Sequence, residues 1–183
     1  MTITAAMLDH QEYLKGRVLD VGCGSMAYKR LVFENITEWV GLDIRPVGDI
    51  QADMCEMPHV ADESFDSVLC ANSLQYALDP ISAFGEFYRV LKPGGTVLLV
   101  APNSCADDHV AFWGFRTEGV RLLLLQADFE IVSIRTASRQ FVCEYENSKL
   151  SKYGFQVPEE IKGLVEHLDD TYPHIVVAVG VKE

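Results

Sequence analysis

Long apolar runs are missing from this chain: none approaches the ~18 residues of a membrane span, so no spanning helix is expected. The start, MTITAAMLDHQEYLKG, lacks a basic segment followed by an apolar one, which argues against a signal peptide. Paired cysteines are missing too. Cys23, Cys55, Cys70, Cys105 and Cys143 are odd in number and widely spaced, with no C-x-x-C pair. That usage fits a reducing, cytoplasmic compartment and excludes a disulfide framework. His10, His59, His109, His167 and His174 are equally scattered, so metal-ligand spacing is absent and no metal is expected. Basic residues are scarce, with 15 Lys and Arg against 27 Asp and Glu and a net charge of -12. Phosphate neutralisation needs a Lys/Arg surface, so the balance argues against a nucleic-acid partner. Repeats and low-complexity tracts are absent.

What is present is a globular composition. The 183 residues are 49% hydrophobic and 23% charged, which predicts a single domain over 1–183 with a real core. Apolar runs alternate with amphipathic stretches, the pattern of an α/β domain with a mostly parallel sheet. Strands are expected at 17–21, 39–43, 49–52, 66–71, 95–101, 129–135 and 174–181. Most are continuous apolar runs, as strands covered on both faces should be.

Helices carry their own signals. Asp79-Pro80 supplies an N-cap and a first-turn proline. Ile81, Phe84, Tyr88 and Leu91 then recur on one face, and Pro93-Gly94-Gly95 ends that helix. Thr117 is expected to cap a helix running through Leu122 to Leu125, whose leucines form either a homodimer interface or a buried face. Pro158-Glu159-Glu160 starts another, with Ile161, Leu164, Val165 and Leu168 on one face, and residues 26–34 fit a helix after a glycine turn. Asp43 to Asp49 leaves no room for a crossover helix. The insertion 136–173, with Phe141, Tyr145, Tyr153 and Phe155, reads as a lid, a packing cover or a dimer surface.

The motifs narrow the chemistry in order. Val18 to Val21 is a buried strand, Gly22-Cys23-Gly24 a tight turn, and a helix should follow: a cradle for a nucleotide-like ligand. Gly22, Gly24 and Ala27 satisfy G-x-G-x-x-A. Asp43 lies 19 positions after Gly24, at the tip of the second strand, where an acid accepts from both ribose hydroxyls. A nicotinamide and an adenosyl cofactor both need that contact, so these two motifs leave hydride and methyl transfer open. Ala52-Asp53-Met54 then places a carboxylate to accept an adenine amino group. Phe65 to Cys70 forms a fourth strand with exit loop Ala71-Asn72-Ser73-Leu74, and Leu91-Lys92-Pro93-Gly94-Gly95 precedes a fifth.

In sequence, VLDVGCGS, GLDI, ADM, SFDSVLCANSL and DPISAFGEFYRVLKPGG resemble the class I S-adenosylmethionine-dependent methyltransferases, over roughly residues 16–135. The nearest likeness is to the small bacterial-type, methyltransferase-11-like group. That resemblance implies a Rossmann-like fold with a seven-stranded mixed sheet, order 3-2-1-4-5-7-6, the last strand antiparallel and formed by 174–181. It implies S-adenosyl-L-methionine as cofactor. Gly22 and Gly24 would let the backbone approach it, and Cys23 would contact it through the main chain. Asp20 would anchor the turn near the sulfonium or amino group, and Asp43 would bind the ribose. Ile44 and Met54 would cover the adenine faces, Asp53 would take its amino group, and Asn72 would line the methionine portion. Met26 stands where a third glycine is common, and would narrow the turn's exit or shift the helix start.

A narrower resemblance lies in FWGFRTEG followed by LLLLQADFEIVSI, similar to a bacterial subgroup of sugar and polysaccharide pathways. The chain departs from it at Gly114, at Val110-Ala111 and at Gln75-Tyr76, where that subgroup has arginine, His-Asp and Glu-His. The function implied is methyl transfer to a small-molecule or sugar-containing acceptor. Such a transfer is an in-line displacement, helped by a general base when the acceptor is a hydroxyl. His109, beside Asp107-Asp108, is one candidate base, or an exposed loop histidine; Tyr76 either meets the acceptor or packs inward. Phe112, Trp113 and Phe115 form an acceptor wall or part of the core. The alternative is a degenerate methyltransferase-like module acting through protein contacts.

Overall fold

Val18, Leu19, Leu69 and Leu98 are fully buried in neighbouring strands, and this apolar centre organises the chain. The computed structural model describes residues 7–30, 34–103, 111–137 and 175–183. Its strands are β1 (Gly16–Val21), β2 (Ile36–Asp43), β3 (Ile50–Gln51), β4 (Phe65–Ala71), β5 (Leu91–Pro102), β6 (Glu130–Ala137) and β7 (Ile175–Val181). They form one seven-stranded sheet in the order β3-β2-β1-β4-β5-β7-β6. Pairs from β3 to β5 are parallel, while β7 runs antiparallel to both β5 and β6. This is the order and sense that the family resemblance implies.

Alternation along β5 shows why both faces are apolar. Val97, Leu99 and Ala101 join one core cluster, and Leu98 and Val100 the other. The first cluster is covered by α1 (Pro80–Val90) and α2 (Thr117–Gln126). The second is closed by Met7, Leu14 and Trp39.

The helices correct several expectations. In α1, Asp79 caps as read: its Oδ1 accepts from Ile81 N–H at 3.0 Å, with Pro80 in the first turn. Of the expected face, Phe84 and Leu91 are buried and Tyr88 packs against the core, but Ile81 is exposed; Ala83, Phe87 and Val90 complete the inward stripe. Ile81 fits the apolar period yet faces solvent, and periodicity alone does not rank it below the core positions. The helix ends at Val90, and β5 begins at Leu91, earlier than 95. Strand pairing is kept through Pro93-Gly94-Gly95, across an irregularity with Gly94 at φ +73°, because Gly94 N–H donates to Lys182 O at 2.7 Å and Lys182 N–H to Gly95 O at 2.9 Å. Thr117 is the first residue of α2, with Arg116 at the cap position. Its leucines divide: Leu123 and Leu124 are buried, Leu122 and Leu125 exposed.

After the glycine turn, residues 27–30 form a single 3-10 turn, and 31–33 lie outside the described residues. The strand at 49–52 shrinks to Ile50–Gln51. Asp49 replaces the missing ladder: its Oδ2 accepts from Gly41 N–H at 2.8 Å, tying the short connection to β2. The helix expected from Pro158 and nearly all of the 136–173 insertion fall outside the described residues.

Candidate functional site

The carboxyl ends of β1, β2, β3 and β4 meet at one edge of the sheet, where open α/β folds bind ligands. A cavity of about 850 Å³ opens there, lined by Gly22 to Ser25, Asp43 to Arg45, Ala52 to Met54, Ala71 to Ser73, Tyr76 to Leu78 and Phe112, among others. That size lies within the range of small-molecule sites. Gly22, Cys23, Gly24, Asp43, Ile44, Asp53, Met54, Asn72 and Tyr76 all line it. His109 lies outside the described residues.

Gly22 and Gly24 are both left-handed, at φ +69° and +52°, but serve different needs. A Cβ on Gly22 would stand 2.3 Å from Ser73 Cβ, so this glycine admits the exit loop of β4. A Cβ on Gly24 would approach only Arg45 Nη2, at 3.7 Å, so Gly24 keeps the floor of the cavity clear. Met26 takes the third glycine's left-handed backbone, at φ +51°. Its side chain does not line the cavity. It packs where Gly41 has no Cβ: one built there would stand 2.8 Å from both Met26 Sδ and Cys23 Sγ. The exit of the turn is therefore not narrowed by Met26.

Asp43 is the electrostatic centre. Its Oδ2 accepts from Gly24 N–H at 2.9 Å, and its Oδ1 from Arg45 N–H at 3.0 Å. The Arg45 guanidinium adds Nε to Oδ1 at 3.0 Å and Nη2 to Oδ2 at 3.2 Å. Burial pushes the Asp43 carboxyl up, but these hydrogen bonds outweigh it and hold the group below the usual carboxylate range.

Asp20 is placed differently. It is 1% exposed, is not part of the cavity lining, and accepts from Trp39 Nε1 at 3.2 Å. Burial pushes its carboxyl up to about 7, opposed by the Trp39 hydrogen bond and aided by repulsion from Asp43. The Cys23 thiol is pushed up to about 11 by burial and the neighbouring Asp20, Asp43 and Asp49 carboxylates, so it stays protonated and unreactive. The Cys23 N–H is engaged by Leu42 O at 3.0 Å.

Asp53 combines a turn role with a cavity position: its Oδ1 accepts from Cys55 N–H at 2.9 Å. Asn72 is left-handed, at φ +54°, and is held by Gln75 Nε2, which donates to both Asn72 O and Oδ1 at 3.1 Å. The aromatic trio splits. Phe112 lines the cavity, Trp113 Nε1 donates to Ala77 O at 2.8 Å, and Phe115 is buried in the core. Phe112 N–H and Trp113 N–H both donate to Gln75 O, at 2.9 and 3.3 Å, so the wall is fixed to the β4 exit loop. Among the described residues, no group of three His, Cys, Asp or Glu side chains could hold a metal.

Sequence reasoning missed Arg45, Ser73 and Gln75. Arg45 had a signal: a cation two positions after Asp43. Ser73 had none, because its close approach to Gly22 is long-range, and Gln75 showed only as a departure from the subgroup's Glu.

The chain is similar to known methyltransferases. A family model described as "Methyltransferase domain" matches residues 19–99. Over 113 residues the chain is 27% identical to a ubiquinone biosynthesis O-methyltransferase of Pseudomonas entomophila, covering 52% of this chain and 49% of that protein. It is 30% identical over 112 residues to cycloartenol-C-24-methyltransferase 1 of Oryza sativa, covering 51% of this chain and 32% of that one. The chain thus spans less than half the length of these curated relatives. In three dimensions it shares its fold with a crystal structure of a SAM-dependent methyltransferase from Archaeoglobus fulgidus, with TM-score 0.69, 18% identity, and coverage of 98% of this chain and 93% of that one.

Proposed function

We propose that this chain, which belongs to the class I S-adenosylmethionine-dependent methyltransferases, transfers the cofactor's methyl group to a small-molecule acceptor. One observation carries the reading: Asp43, Asp53 and the clear floor at Gly24 converge on a single cavity at the carboxyl edge of the sheet. The residues present fit the cofactor chemically. Asp43 suits the ribose hydroxyls, Asp53 the adenine amino group, and Ile44 and Met54 are apolar covers for the adenine faces.

When bound, S-adenosylmethionine supplies an electrophilic methyl group on a sulfonium. The chain's work is then to bind, orient and exclude water. Asp43 brings a carboxylate to the end of β2, beside the glycine turn. Gln75 holds Asn72, Phe112 and Trp113 together, so the far wall of the cavity is pre-positioned. Tyr76, Leu78 and Phe112 make that wall largely apolar. This supports an acceptor with an apolar or aromatic portion better than a bare sugar.

The test is transfer of labelled methyl from S-adenosylmethionine into a small-molecule cell extract. Labelled products that form with wild type and vanish with Asp43→Ala are expected. A folded, cofactor-binding protein that labels no acceptor pool would favour the second reading, a degenerate module working through protein contacts.

A further inference from the structure

An ionised carboxylate has about four acceptor positions on its two oxygens, and on Asp43 all are taken. Two donors are backbone amides, Gly24 N–H and Arg45 N–H, placed by the turn after β1 and the exit of β2. The other two are Nε and Nη2 of Arg45, at 3.0 and 3.2 Å. The two partners differ in setting: the Asp43 side chain is 6% exposed and the Arg45 side chain 65%. The guanidinium also lies over the glycine turn, 3.7 Å from where a Gly24 Cβ would stand, and lines the cavity. A ribose diol brings two hydroxyl donors to the same carboxylate.

We propose that Arg45 sets the affinity for the cofactor, because its guanidinium fills the two Asp43 acceptor positions that a ribose diol needs and must be exchanged for it. This rests on the reading that the cavity takes an adenosyl cofactor. The exchange is one for one: two guanidinium hydrogen bonds break and two hydroxyl hydrogen bonds form. The backbone donors stay in place and keep the carboxylate aimed. The displaced side chain is already mostly in solvent, so it needs no new burial. With the guanidinium 65% exposed, the pair is discounted for solvent screening to a factor of about five, so Arg45 lowers affinity without abolishing it. Salt screens the attraction of the exposed guanidinium more than it affects a ligand of zero net charge. Added salt should therefore tighten binding, the reverse of the usual response of charged contacts.

The experiment is calorimetry at pH 7.5 with S-adenosylhomocysteine, which carries no net charge, against wild type, Arg45→Met and Arg45→Gln. Each is measured at about 50 mM and about 500 mM NaCl, spanning strong and weak screening. Both variants are expected to bind about two- to fivefold tighter than wild type at low salt. Wild type should tighten toward them as salt rises, while the variants stay flat. Equal or weaker binding by the variants overturns the proposal and leaves the cofactor reading standing. A gain by Arg45→Met alone reports a new apolar contact, and also overturns it. Absence of binding in all three folded proteins overturns both, since clearing Asp43 then opens no ribose site.

Discussion

Gly22→Ala puts the β1–β4 junction under direct test. The new Cβ would stand 2.3 Å from Ser73 Cβ and 2.7 Å from Ser73 Oγ, where carbon atoms normally rest at about 3.5–4.0 Å. Ser73 cannot swing aside, since its Cβ is fixed to the backbone and its Oγ donates to Val21 O at 2.7 Å. The turn cannot retreat easily either, because Gly22 N–H is bonded to Leu42 O at 2.7 Å. Overpacking of this kind costs about 1–3 kcal/mol. The left-handed backbone at φ +69° adds about 1–2 kcal/mol for a residue with a Cβ. The expected loss is about 2–5 kcal/mol, a fall of roughly 4–20 °C in Tm for a chain this long. Urea denaturation followed by circular dichroism measures it. The double variant Gly22→Ala/Ser73→Gly should recover the overpacking part, because the next neighbour, Met54 Cε, lies at an ordinary 3.6 Å. A single variant within about 0.5 kcal/mol of wild type, or no coupling between the two positions, would refute the reasoning.

Other expectations follow from the same contacts. Asp20 has its folded carboxyl at about 7 against an ordinary 3.8, so between those values the folded chain holds a proton that the unfolded chain has lost. Stability therefore falls as pH rises through that window, and Asp20→Asn should gain stability at pH 8 while changing little near pH 4, read by urea melts across pH. Gly41→Ala would bring a Cβ to 2.8 Å from Met26 Sδ and Cys23 Sγ. A loss of about 1–3 kcal/mol is expected, partly restored by Met26→Ala, and no restoration would disprove the packing argument. Asp79→Ala removes the acceptor for Ile81 N–H and should cost about 1 kcal/mol in thermal unfolding, with cofactor affinity unchanged.

Much of this architecture was legible because its signals are local. Gly22-Cys23-Gly24, Asp79-Pro80 and the apolar strands each announce their own conformation, and the family resemblance of the motifs implied the sheet order that is observed. The errors arose where tertiary context decides. Ile81 and Ala83 compete for the inward face of α1, and only the packing against Phe129 and the sheet selects the smaller one. Extension of β5 back to Leu91 depends on Lys182, 91 positions away, pairing with the glycine loop. Met26 reads as an obstacle in sequence because its partner, Gly41, is 15 positions away. Asp20 carried a family signal for the ligand, yet its carboxylate meets Trp39 beneath the cavity lining.

The central claim is that Asp43 anchors an adenosyl cofactor in the cavity at the carboxyl edge of the sheet. Calorimetric titration of S-adenosylhomocysteine into wild type and Asp43→Ala tests it most directly, with circular dichroism to show that both are folded. Saturable binding by wild type, weakened at least about tenfold in Asp43→Ala, is the predicted result. Undiminished binding by a folded Asp43→Ala, or none by wild type at about 1 mM ligand, would contradict it.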